Sequence, residues 1–149
     1  PTTAYSMYNR ALVLSDDQDD YSLLVRYQHR TGAIILYNLA LVHHNIGIHL
    51  GASAALPHAL RLYEMAFEAI DQQGASLVEV QILLLALLNN MGNIHTHLFN
   101  FENAQKCLEN LRMVVLAAST STMAVDEDYI FFFINSLYQG KELYFAPAA

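Results

Sequence analysis

The sequence GIHLGASAALPHALRLYEMA, residues 47–66, predicts two helices that pack closely together. Gly47 lies twelve residues before Ala59, and Tyr63 and Ala66 follow Ala59 at steps of four and three residues. Positions three and four apart share one face of an α-helix, so these residues form a stripe of small, large and small side chains. The stripe predicts a close approach between this helix and the preceding one, which carries Gly47.

The same pattern recurs along the chain. Gly92 lies twelve residues before Ala104, and Leu108 and Leu111 follow at the same steps of four and three. A further copy of the stripe without its preceding helix consists of Ala4, Tyr8 and Ala11. Self-similarity at a fixed interval is typical of helical repeat proteins, in which each unit is a helix pair.

The asparagines Asn45, Asn90 and Asn135 set the length of one unit, because they recur every 45 residues. Turn-forming residues between the apolar stretches divide the chain into six predicted helices. These helices cover residues 3–16, 21–50, 54–71, 76–98, 101–118 and 126–144, and Thr31-Gly32 is a point where the second could kink or split. The fold class predicted from this pattern is all-α.

Composition limits the classes of partner. The 149-residue chain is 54% hydrophobic and 14% charged, with a net charge of -7. The acidic balance excludes a basic surface for nucleic acid, and the apolar runs are far shorter than the roughly 20 residues that a membrane-spanning helix needs. A single cysteine, Cys107, cannot form an internal disulfide, which favours an intracellular protein in the cytoplasm or, as the alternative, in a reducing organelle lumen.

The paired patterns from Gly47 to Ala66 and from Gly92 to Leu111 resemble the tetratricopeptide repeat family. In that family a small residue at the eighth position of the first helix is followed twelve residues later by the stripe of the second helix. The resemblance implies a right-handed α-solenoid of antiparallel helix pairs with about six helices. Tetratricopeptide units have about 34 residues, whereas HEAT and armadillo repeats, with about 40–47, match this period better but match the stripe less well.

The chain starts and ends inside a unit of this pattern. We expect residues 1–149 to form a single repeat domain that is a fragment of a longer array. It would comprise a half repeat over 1–16, repeats over 21–71 and 76–118, and a half repeat over 126–144. The apolar ends would be covered by a partner, by a larger complex or by self-association.

The sequence contains no pattern typical of catalysis or of a bound cofactor. None of its seven histidines has a partner histidine four residues away, as helical zinc sites require. Cys107 has neither an adjacent histidine nor a Gly-rich turn, so a nucleophile is not predicted either. We expect no enzyme activity, no catalytic residues, no metal and no cofactor, although histidines of different repeats meeting in space are a third, metal-binding alternative.

In tetratricopeptide superhelices the first helix of each pair lines a concave groove, which implies a candidate partner-binding surface here. Mapped onto this chain, that surface consists of His44, Asn45, Ile48, Asn89, Asn90, Asn93, His97 and Asn135. A side-chain amide both donates and accepts hydrogen bonds, so a ladder of Asn45, Asn90 and Asn135 could hold the main chain of an extended peptide. The alternative is that these amides bond neighbouring backbone carbonyls or join helices.

The leading hypothesis is a non-enzymatic scaffold that binds a protein or peptide in this groove. A second hypothesis is a purely architectural subunit, of this or another helical-array type, whose apolar faces are buried in an assembly.

Overall fold

The computed structural model describes residues 6–13, 24–71, 77–119 and 127–142, and the regular structure in these residues is entirely helical. The helices are α1 (Leu24–His49), α2 (Ala55–Asp71), α3 (Leu77–His97), α4 (Phe101–Ser119) and α5 (Glu127–Glu142). The all-α class is confirmed, and the last five predicted helices are present, with bounds that differ by at most one residue where both are described. Residues 21–23, 76, 126 and 143–144 of these predictions lie outside the described residues. The second continues through Thr31-Gly32 without a break. None of the described helices is long and apolar enough to cross a membrane.

The helix predicted over residues 3–16 is wrong where the structure describes it. Residues 6–13 form neither helix nor strand, and the remainder of that prediction lies outside the described residues. The physical reason is competition for the main chain: asparagine side chains bond the peptide groups of Tyr8 and Leu12, which a helix would pair internally. The described part of the chain therefore contains five helices, not six.

Local signals explain where the helices end. Gly51 follows α1 with a φ of 68°, a left-handed conformation that glycine adopts without steric cost. Phe99, which follows α3, also has a left-handed conformation, with a φ of 58°. The Asn100 N–H then donates a hydrogen bond to the His95 carbonyl at 2.8 Å, which ends α3. Asn100 then caps α4, since its Oδ1 accepts the Asn103 N–H at 3.3 Å.

The chain divides into two compact units. One is Asn9–Leu83, and the other combines Pro1–Tyr8 with Leu84–Ala149. We call them the α1–α2 unit and the α4–α5 unit. Helix α3 contributes its first seven residues to the α1–α2 unit and the rest to the α4–α5 unit.

In the α1–α2 unit the two helices pack as the stripe predicts. Ala59, Tyr63 and Ala66 are fully buried. A Cβ built on Gly47 would lie 2.7 Å from Leu56 Cγ, so the absence of a side chain there is what allows α2 to approach α1. The Tyr63 ring on α2 packs against α1, where its centroid lies 5.7 Å from that of Tyr37. The packing roles predicted for Gly47 and for the Ala59 stripe are confirmed.

In the α4–α5 unit the second stripe is equally buried. Ala104, Leu108 and Leu111 have no exposed area. Two side chains join α4 to α5 through main-chain carbonyls: Arg112 Nε donates to Ser136 at 2.9 Å, and the Tyr129 hydroxyl donates to Val115 at 2.8 Å. These bonds position α5, which carries part of the candidate site.

Replacing Ala59 with Phe is expected to lower the free energy of unfolding by about 1–3 kcal/mol, because the added ring has no space at a fully buried contact of α2. Urea denaturation followed by circular dichroism measures the change. The matched control is Glu68→Phe, which places the same ring on an exposed position of α2 and should alter stability by less than about 0.5 kcal/mol. Equal stability of the two variants would contradict the assigned packing of α2.

Candidate functional site

Three asparagines of the α4–α5 unit form a buried polar cluster. Asn89 and Asn90 lie on α3 and are completely buried, and Asn135 on α5 is 7% exposed. We call these three residues the amide cluster. Burying an amide without hydrogen bonds costs free energy, so each of these side chains requires partners.

The amide cluster bonds the main chain of Ser6 and Tyr8, the start of the described residues 6–13, which we call the N-terminal segment. Asn90 bonds both peptide groups of Tyr8: its Oδ1 accepts the Tyr8 N–H at 2.8 Å, and its Nδ2 donates to the Tyr8 carbonyl at 3.1 Å. The carbonyl of Ser6 accepts two bonds, from Nδ2 of Asn89 and from Nδ2 of Asn135, both at 3.0 Å. The cluster thus forms hydrogen bonds with three peptide groups of the segment. All four of these bonds go to main-chain atoms, and none goes to a side chain.

The amides also bond one another, which fixes their orientation. Asn135 Nδ2 donates to Asn89 Oδ1 at 2.9 Å, and Asn89 Nδ2 donates to Asn90 Oδ1 at 3.1 Å. The donors in this chain of three are therefore aligned toward Asn90. Hydrogen bonds in such a network polarise and strengthen one another in a buried environment.

The α1–α2 unit holds the following residues of the segment by the same chemistry. Asn38 bonds both peptide groups of Leu12, accepting its N–H at 3.0 Å and donating to its carbonyl at 2.9 Å. The Tyr37 hydroxyl donates to the Arg10 carbonyl at 3.2 Å. In each unit the bonded residues are two apart, Ser6 and Tyr8 in one and Arg10 and Leu12 in the other. Within each unit this spacing is that of an extended chain, which presents alternate peptide groups to one side.

One side chain of the segment is deeply buried. Tyr8 is 3% exposed, and its ring centroid lies 4.7 Å from that of Phe132 and 5.5 Å from that of Phe131. Both phenylalanines lie on α5 within about one turn of Asn135, so one face of α5 carries two aromatic rings and an amide. Between positions 6 and 11, the exposed residues of the segment are Ser6, Asn9, Arg10 and Ala11.

The remaining residues of the predicted groove have varied surroundings. Asn45 is half-buried, and its Nδ2 donates to the Leu41 carbonyl one turn earlier at 2.8 Å and to Asn9 Oδ1 at 3.0 Å. These two bonds go to its own helix and to a side chain, so Asn45 does not repeat the two-sided bond of Asn90. His44 is completely buried, with Nδ1 3.3 Å from the Tyr63 hydroxyl, and this contact joins α1 to α2.

The other three predicted residues differ in how deeply their side chains are buried. Ile48 is half-buried on α1, and Asn93 is 2% exposed one turn after Asn89 on α3. His97 is half-buried at the end of α3. Its partial burial lowers the pKa of the His97 imidazole, because desolvation disfavours the charged form, so the neutral ring predominates near neutral pH.

Two residues that hold the segment, Asn38 and Tyr37, were not among those predicted from the sequence. Asn38 lies seven residues, two helical turns, before Asn45 and therefore on the same face of α1. A search for amides at one- and two-turn spacing along the first helix of each pair would have found it. Tyr37 carries no such signal, since a buried tyrosine on an apolar helix face is typical of a core residue.

The described residues bring together no three histidine, cysteine or acidic side chains that could hold a metal ion. Cys107 is a half-buried free thiol on α4. The ring centroid of His43 lies 6.2 Å from that of His58, and that of His44 lies 5.8 Å from that of Tyr63.

No model of a protein family, no curated protein and no solved structure matches this chain. Its function is therefore inferred from its own residues and their contacts.

Proposed function

We propose that this protein is a non-enzymatic module of tetratricopeptide-like helix pairs that binds extended polypeptide through the peptide main chain. The observation that carries the proposal is the pair of hydrogen bonds between Asn90 and Tyr8. One amide accepts the N–H and donates to the carbonyl of the same residue, at 2.8 and 3.1 Å. Every residue except proline offers these two groups, so the contact suits a peptide of varied sequence.

The geometry of the whole amide cluster supports this function over a purely structural role. Asn89 and Asn135 both direct Nδ2 to the Ser6 carbonyl, outside their own helices. The bond from Asn135 to Asn89 joins α5 to α3, but amides that served only to join helices would not need a non-helical segment as a further partner. Asn38, in the other unit, makes the same two-sided bond to Leu12. The same recognition chemistry thus occurs twice in the chain.

The chain's own N-terminal segment occupies these amides in the structure, so it acts as a tethered competitor of any peptide added in solution. A short tether corresponds to an effective concentration in the millimolar range. A suitable acceptor is therefore the full chain with Tyr8→Ala, in which the tethered segment loses its buried ring. The probe is a fluorescent peptide with the sequence of residues 4–13, AYSMYNRALV.

We expect this peptide to bind the Tyr8→Ala chain, and a peptide N-methylated at Tyr8 to bind at least tenfold more weakly, or about 1.4 kcal/mol. N-methylation removes the N–H that Asn90 accepts and leaves every side chain unchanged. Fluorescence anisotropy measures both affinities. The control peptide is N-methylated at Met7, whose N–H faces the opposite side of an extended chain, and should bind within about threefold of the parent. Equal loss at both positions, or no loss at Tyr8, would contradict main-chain recognition.

A second function, that of an architectural subunit, is favoured by a different observation. Helix α5 exposes 42–54% of the surface of Ile130, Phe133, Ile134 and Leu137, which share one helix face. Large exposed apolar stripes are typical of surfaces covered by another chain or repeat. This function requires the α5 stripe, whereas peptide binding requires only the amide cluster and the aromatic face of the same helix.

A further inference from the structure

We propose that the amide cluster selects peptides with an aromatic residue at the position of Tyr8, two residues after the one whose carbonyl Asn89 and Asn135 hold. This inference rests on the proposed function and names the class of ligand: an extended segment with one aromatic anchor. Main-chain bonds supply affinity for any extended chain, and the pocket next to them supplies selectivity.

The first step is the register of the bound chain. The Ser6 carbonyl is held by two donors and both peptide groups of Tyr8 are held by Asn90. An extended chain that slips by one residue turns all its side chains to the opposite face. The residue clamped by Asn90 is therefore always the one whose side chain enters the pocket occupied by the Tyr8 ring.

The second step is the chemistry of that pocket. The Phe132 side chain is completely buried and lies 4.7 Å from the Tyr8 ring at an interplanar angle of 43°. Phe131 lies 5.5 Å from Tyr8 and meets Phe132 edge-on at 84°. Three rings in tilted and edge-on contact have the arrangement that aromatic side chains prefer, and an aliphatic side chain would lose it.

The third step is the exposure of the neighbouring residues. Ser6 before the anchor and Asn9 after it are exposed, and Met7 is half-buried. Only the anchor position of this stretch encloses a side chain fully, so its occupant decides selectivity while its neighbours are free to vary. A few deeply buried aromatic anchors commonly carry most of the affinity of an interface.

The test uses the full chain with Tyr8→Ala as the acceptor and peptides of residues 4–13 that differ at position 8. We expect the parent peptide and its Tyr8→Phe variant to bind within about tenfold of each other, and the Tyr8→Ala peptide to bind at least about thirtyfold more weakly. The Tyr8→Leu peptide should bind more weakly than Tyr8→Phe. A Ser6→Ala peptide is the matched control and should stay close to the parent in affinity, because the Ser6 side chain is exposed.

The outcomes separate this inference from the proposed function. If the Tyr8→Ala and parent peptides bind equally well, while N-methylation at Tyr8 still weakens binding, the aromatic anchor is wrong and main-chain recognition stands. If no peptide binds a folded acceptor chain, and none displaces the tethered segment of the unsubstituted chain at millimolar concentration, both are wrong. Should the acceptor lose its helical circular dichroism signal, the same peptides are added at millimolar concentration to the unsubstituted chain. Displacement of the tethered segment, followed by the NMR signal of the Tyr8 amide, should then rank Tyr and Phe above Leu and Ala, and equal displacement by all four would overturn the anchor.

Discussion

Replacing Tyr63 with Ala is expected to lower the free energy of unfolding by about 3–5 kcal/mol, the cost of deleting a fully buried large aromatic side chain. Tyr63 has no exposed area, and its ring lies 5.7 Å from that of Tyr37 and 5.8 Å from that of His44. The substitution leaves a cavity between α1 and α2 and removes the hydroxyl that lies 3.3 Å from His44 Nδ1. Urea denaturation followed by far-ultraviolet circular dichroism measures the loss.

Two variants divide this loss into its parts. Tyr63→Phe keeps the ring and deletes only the hydroxyl, so it should cost about 0.5–1.5 kcal/mol. Met65→Ala, two residues along α2 at a side chain that is 41% exposed, should change stability by less than about 0.5 kcal/mol. A cost for Tyr63→Ala no greater than that for Met65→Ala would show that the Tyr63 ring does not hold α1 against α2.

The helices of this chain could be predicted closely from the sequence because their signals are local. Glycine and asparagine mark the ends, as Gly51 and Asn100 show, and the stripe from Ala59 to Ala66 identifies the buried face of α2. Gly47 could be assigned a packing role because a helix surface without a side chain has few other purposes. These features depend on residues within a few turns of each other, and spacing alone reveals them.

The N-terminal segment could not be predicted in the same way. Ala4, Tyr8 and Ala11 have the spacing of Ala59, Tyr63 and Ala66, yet residues 6–13 are not helical. Spacing indicates which side chains could share a helix face. It does not indicate which distant side chains form hydrogen bonds with the main-chain groups that a helix would pair. Here the competitors, Asn90 and Asn38, are 82 and 26 residues away from the peptide groups they bond, and such tertiary contacts override local propensity.

The candidate site shows both cases. An interval of 45 residues links Asn45, Asn90 and Asn135 in the sequence, and the last two do meet at the start of the segment together with Asn89. The interval could not reveal that Asn45 bonds its own helix instead, or that Asn38 takes the two-sided role on α1. Equal spacing in the sequence does not fix the partner of a side chain, which depends on what lies opposite it.

The hydrogen bonds among the amides run in one direction, which bears on the proposed function. Each amide donates a hydrogen bond to the next one: Asn135 Nδ2 donates to Asn89 Oδ1, and Asn89 Nδ2 donates to Asn90 Oδ1. Asn90 is the end of this sequence, and its own donor goes to the Tyr8 carbonyl. A change that removes only the donor of Asn90 therefore affects the bound main chain while leaving the acceptor that Asn89 and the Tyr8 N–H use.

Replacing Asn90 with Asp makes this change, and it is expected to release residues 6–8 while the helices stay folded. At neutral pH the introduced carboxylate would face the Tyr8 carbonyl with an oxygen in place of Nδ2, and it would be a buried charge. The loss of the donor and the unsatisfied carbonyl together should cost about 2–4 kcal/mol of local stability. Hydrogen exchange of the Tyr8 amide, followed by NMR, should therefore accelerate by about 30- to 1,000-fold.

The pH dependence of this variant distinguishes a lost donor from simple damage. The protonated form of the introduced carboxyl recovers a donor for the Tyr8 carbonyl, so protection of the Tyr8 amide should return as the pH falls through the pKa of that carboxyl. The matched control is Asn110→Asp, the same change at an exposed position of α4, which should leave Tyr8 protection unchanged at every pH. Unaltered protection in Asn90→Asp would show that Asn90 does not hold the segment. Loss of the helical circular dichroism signal would instead make the amide cluster part of the helix packing.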